Sequence, residues 1–113
     1  MPWSKELLRR IQRRRLKGWR APARTRYCGR PGRYANPFLV GPHRTAAEAV
    51  ASYRQALERG ELAYSKGELR EELRSYDFAS CWCKDGDPCH VDVIVEVVNE
   101  KQLEKATTRL SIS

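Results

Sequence analysis

Apolar residues recur along this chain with two different periods. From Thr45 to Arg59, Ala49, Val50, Tyr53, Ala56 and Leu57 share one face of a 3.6-residue repeat. Thr45 with Glu48 three residues on makes a capping box, and Gly60 stops the helix. Ser65-Lys66-Gly67-Glu68 opens a second helix with Leu69 and Leu73 inward. Asp77 to Cys83 alternates with period two. Ala79, Cys81 and Cys83 take one face; Phe78, Ser80 and Trp82 take the other. With helical segments before and after it, this reads as an interior strand. Arg26-Tyr27-Cys28-Gly29 is a shorter strand.

Two segments fit both periods. Val91, Ile94, Val95 and Val98 make a helical stripe, while Val91, Val93, Val95 and Val97 alternate as a strand would. β-branching favours the strand, but Asn99 to Lys105 continues only as a helix, so a helix from about residue 90 is expected. Trp3 to Arg15 admits a helix capped by Ser4, with Glu6 in its first turn and Leu7, Leu8 and Ile11 spaced along it. It also admits a basic edge strand over Arg9 to Arg15, because like charges three and four apart weaken a helix.

The elements add up to an α/β fold: a single small domain with a short, mostly parallel sheet packed by about three helices. The strands are expected near 26–29 and 77–83 and the helices near 46–59, 66–75 and 90–104. Residues 1–24 read as a basic N-terminal segment packing on the α/β domain of 25–105, with a polar tail over 106–113. There is no internal repeat.

Composition narrows the class. Of 113 residues, 41% are hydrophobic and 32% charged, which is globular rather than disordered. No apolar run has the length of a membrane span, and no apolar signal-peptide core is present. These features predict a protein without membrane attachment, in the cytoplasm, where its four cysteines stay reduced. The net charge of +8 is uneven. Residues 1–40 hold twelve Lys or Arg against one acid, Glu6; residues 41–113 hold ten against thirteen. Such a field attracts nucleic acid or a nucleotide phosphate. Arg13, Arg14, Arg15, Lys17 and Arg20 are candidate phosphate contacts. A solubilising arm is the plainer alternative.

Arg30 to Phe38 is a loop with no acid and with guanidinium groups at Arg30 and Arg33 and an amide at Asn36. It reads as an anion-binding loop, or else as a solvated connection whose arginines pair with Asp and Glu elsewhere. It lacks the Gly-Lys-Ser/Thr ending of a phosphate-binding Walker loop. His43, alone in a loop, reads as solvated.

Chemistry concentrates at one junction, Cys81-Trp82-Cys83-Lys84-Asp85-Gly86-Asp87-Pro88-Cys89-His90-Val91-Asp92. Cys81, Cys83, Cys89 and His90 would satisfy a tetrahedral zinc ion. Against this, Cys89 and His90 are neighbours in sequence, and Cys81 lies one pleat deeper than Cys83, where free cysteine packs as a small hydrophobe. A second reading places His90 at a helix start, lowers the Cys89 thiol there and assembles Cys89, His90 and Asp92 as a catalytic group beside the arginine loop. Purely structural roles and reversible disulfide chemistry are the remaining readings.

Lys17 to Arg20, Gly29 to Pro31, Asn36 to Phe38, Tyr53-Arg54, Cys81 to Cys83, Cys89-His90 and Asp92 together resemble a small family of phages and bacteria known as domain of unknown function 4326. The likeness runs from about Arg10 to Asn99. Ala35 and Val91 stand where that family usually has Gly. The Cys-His ending also resembles the domain of unknown function 488 group, which implies an α/β fold with a site at strand ends. Neither resemblance supplies an activity. The expected function is a phage-type accessory protein that binds nucleic acid or a nucleotide phosphate. A small enzyme on a nucleotide-like substrate and a zinc-stabilised interaction module are the alternatives.

Overall fold

A computed structural model describes residues 7–30, 32–84 and 86–100. The Ser4 cap with Glu6 and the polar tail of 106–113 lie outside the described residues, as does helix beyond residue 100. Three strands, β1 (Arg9–Gln12), β2 (Thr25–Tyr27) and β3 (Phe78–Cys81), form one sheet in the order β1-β3-β2. Both pairings are parallel, with Ile11 and Tyr27 each opposite Ser80. The central strand is covered on both faces: Ala79, Ser80 and Cys81 are all buried. Asp77, Trp82 and Cys83 fall outside the strand expected over 77–83. The chain bends after Cys81 and turns Trp82 outward.

The helical alternative for the N-terminal segment fails over residues 9–12, and the edge-strand alternative holds. Strand β3 offers backbone groups that must be paired, and the segment around β1 meets them: Arg9 N–H donates to Asp77 O and Arg13 N–H to Cys81 O.

Helices α1 (Ala46–Arg59) and α2 (Lys66–Leu73) match the expected positions. Thr45 and Glu48 close the capping box, and those bonds hold the Glu48 carboxyl below its usual range. Gly60 takes φ 71°, the left-handed conformation that favours glycine after a helix. The ambiguous valine segment is helix α3, covering 90–100 of the described residues. Burial decides its period: Val91, Val93, Ile94 and Val97 are buried while Asp92 and Glu96 are exposed. Among the described residues, no helix is long and apolar enough to cross a membrane.

Helix α3 ties the other elements together. It meets α1 through Tyr53 against His90 and through the Arg54–Glu96 pair at 2.6 Å. It meets α2 through Arg70, which donates to Val97 O and pairs with Glu100. It holds the approach to β1 through Asn99, whose buried side-chain amide accepts from Leu8 N–H and donates to Leu8 O, both at 3.0 Å. Asn99→Ala leaves both Leu8 groups without partners. Urea unfolding should therefore show a loss of about 1–3 kcal/mol.

Candidate functional site

The carboxyl ends of the three parallel strands face one cavity of about 490 Å³. Ligands of open parallel sheets bind at this end. Tyr27 and Gly29 follow β2 into the wall, and Arg30, Asn36 and Phe38 continue it along the loop. Ala46, Ala49 and Val50 of α1 close one side; Cys81, Trp82, Cys83, Cys89 and His90 form the other; Arg15 stands beyond β1. The arginine loop and the Cys/His junction, far apart in sequence, therefore line one cavity.

Three sulfurs meet there. The Sγ atoms of Cys81, Cys83 and Cys89 all lie within 4.8 Å of one another. Cys89 Sγ donates to Cys81 Sγ at 3.5 Å. That bond, a backbone contact from Cys83 and the Arg10 guanidinium outweigh burial and bring the Cys81 thiol down to about 6. The same bond and burial push Cys89 up. Within this hydrogen-bonded pair Cys81 is lowered and Cys89 raised, whereas the helix-start argument lowers Cys89. Cys28 stands apart: it is fully buried, and burial pushes it up to about 12.

His90 does not join the sulfur cluster, so the four-ligand zinc set is corrected to three. Its Nε2 lies 2.8 Å from both Cys28 O and Tyr34 O. Two carbonyl acceptors require Nε2 to carry the proton. Nδ1 then holds the lone pair. Among the described residues no hydrogen bond to Nδ1 is seen, and the ring belongs to a residue that lines the cavity. Burial lowers the His90 pKa, so the ring is neutral near pH 7.

Nor does a Cys89–His90–Asp92 relay form. Asp92 accepts from Arg10 Nη1 at 2.7 Å instead. Two positions apart on a helix, His90 and Asp92 do not face each other.

Arg10, not anticipated as a site residue, organises the junction. Its side chain is only 10% exposed. Besides Asp92, it donates to the carbonyls of Cys83, Lys84 and Asp87. An edge strand thus holds in place the turn that brings Cys83 and Cys89 together. Pleat alternation was the available signal, since it separates Arg10 from its exposed neighbour Arg9.

The other basic candidates divide. Arg15 and Arg30 line the cavity. Arg30 Nη2 donates to Asn36 O, and Arg15 lies 4.8 Å from the Trp82 ring centre. Asn36 also reaches the wall, but its amide is committed to Ala49 O and Phe38 N–H. Arg13 is enclosed by the rings of Trp19, Tyr27 and Trp82, at 5.2–5.5 Å, and so acts within the fold. Arg33 pairs with Glu68 and Glu72, the solvated-connection alternative for that residue. Arg14, Lys17 and Arg20 are exposed.

A family model described as domain of unknown function (DUF4326) matches residues 11–100. The chain belongs to that family. The DUF4326 match takes in β2, β3, all three helices and every cavity residue named above, while Arg10 stands one residue before it. Val91 is fully buried in the core. Neither a curated protein nor a solved structure matches the chain.

Proposed function

We propose that this protein binds a nucleoside phosphate in the cavity at the carboxyl ends of its strands. The observation that carries this reading is the cavity that the arginine loop and the Cys/His junction line together. Arg15 and Arg30 supply cationic forks for phosphate. Tyr27, Phe38 and the half-exposed Trp82 supply ring faces for a base. A volume of about 490 Å³ lies in the range of small-molecule sites. The protein works in the cytoplasm, that of the host if it is phage-encoded.

A second reading, catalysis on the bound nucleotide, is favoured by one observation: His90, neutral and with its Nε2 held by two carbonyls, lines the same cavity as the three cysteines. This group suits a general base, with Asp92 left out of the chemistry. Exposed Arg14, Lys17 and Arg20 fit a polyanion instead, and the test separates that reading.

Calorimetric titration with a nucleoside monophosphate should show one site per chain. Arg30→Ala removes a charged phosphate contact worth about 1.5–3 kcal/mol, so affinity should fall about 10- to 100-fold. Tight binding of single-stranded oligonucleotide alone, with steep salt dependence, would replace the nucleotide reading with nucleic-acid binding.

A further inference from the structure

The cysteine cluster lies on the cavity wall with a geometry that packing alone does not require. Cys81 ends β3, Cys83 sits in the bend beyond it, and Cys89 precedes α3. Their sulfurs lie within 4.8 Å of one another, with Cys89 and Cys81 at 3.5 Å. A tetrahedral zinc ion with Zn–S bonds of about 2.3 Å places neighbouring sulfurs about 3.8 Å apart. The three thiols are thus already grouped around that spacing.

We propose that Cys81, Cys83 and Cys89 bind one zinc ion whose fourth position opens to the cavity. Among the described residues, no other His, Cys, Asp or Glu joins the group. His90 is held away by its bond to two carbonyls. All three cysteines line the cavity, so water or a donor atom of the cavity's ligand completes the tetrahedron. Three protein ligands with one open position is the arrangement of reactive rather than purely structural zinc.

A second observation comes from Arg10. Zinc with three thiolates carries one net negative charge, and a buried cation is already beside it. The Arg10 side chain is nine-tenths buried, its Nε has no hydrogen-bond partner, and its charge acts on Cys89 and Cys81. Binding releases the thiol protons to solvent and changes no oxidation state. Soft thiolates select zinc over magnesium or calcium.

This inference does not rest on nucleotide binding, because its readout is the metal itself. The full chain is purified under reducing conditions without chelator, loaded with zinc and analysed for metal. One zinc per chain is expected. Cys83→Ser should lose it while keeping the wild-type circular dichroism, since Cys83 is half-buried and outside regular structure. Replacing zinc by cobalt should give thiolate-to-cobalt charge-transfer bands. Adding cyanide should shift the cobalt d–d bands through the open position, in wild type and in Asp85→Asn alike. Reduced protein that takes up no zinc, or Cys83→Ser that keeps a full equivalent, would overturn the site. Cobalt bands indifferent to cyanide would overturn the open position.

Discussion

Replacing Arg10 with methionine is expected to cost about 2–4 kcal/mol of folding stability and to loosen the turn between β3 and α3. The guanidinium holds the carbonyls of Cys83, Lys84 and Asp87 and the carboxylate of Asp92 at once. Charged hydrogen bonds contribute about 1.5–3 kcal/mol each in favourable cases, but the four do not add. Asp92 is 55% exposed, so solvent screens most of that pair. Lys84 and Asp87 are exposed, so their carbonyls can turn to water. What remains is the bond to Cys83 O and the packing of a nearly buried side chain. For a small domain that is a large share of total stability. Arg10→Lys should recover only part of it, because an ammonium group lacks the planar fork. Urea unfolding gives the magnitude, and hydrogen exchange should show the Asp87 and Asp92 amides, which donate to Lys84 O and Cys89 O, losing protection first. An Arg10→Met chain within about 0.5 kcal/mol of wild type, the range of ordinary surface substitutions, would contradict this account.

His90→Phe should cost a comparable amount, about 2–4 kcal/mol. Phenylalanine keeps the ring against Tyr53 but leaves Cys28 O and Tyr34 O without their donor. His90→Gln, which keeps an N–H donor, should cost less. His90 also predicts a pH dependence. Its folded pKa lies below the unfolded value of 6.5, chiefly because burial disfavours the charged ring. Between those two values the unfolded chain binds a proton that the folded chain does not. Stability is therefore complete above 6.5 and falls as pH drops through that window. In metal-free protein, unfolding at pH 7.5 and 5.5 should show lower stability at the acid end. His90→Phe should remove that part of the slope; an unchanged slope would contradict the assignment.

Self-contained elements were the legible ones. Helix α1 announces itself through Thr45, Glu48, Gly60 and one apolar stripe, all within sixteen residues. The interior position of β3 followed from helical segments on either side of it. Val91 to Val98 fits both periods locally, and the helix expected there from about residue 90 is the one found, with contacts from Tyr53, Arg54 and Arg70 around it. The candidate site was legible as a neighbourhood but not as a set of roles. Adjacency of Cys89, His90 and Asp92 suggested a relay, yet helical geometry sends Asp92 to Arg10 and His90 to two carbonyls. The run Arg9 to Arg15 looked like one solvated charge patch. Pairing with β3 separates Arg10, buried at the junction, from Arg13, enclosed by aromatic rings, and from Arg15, at the cavity. Those partners lie as far as 82 residues away in sequence, beyond the reach of any local pattern.

The nucleotide reading meets its most direct test in amide and indole chemical shifts of isotope-labelled protein titrated with a nucleoside monophosphate. The account predicts saturable shifts at Gly29, Arg30, Trp82, Cys83 and His90, all following one dissociation constant. Shifts confined to Arg14, Lys17 and Arg20, or none at millimolar ligand, would contradict it.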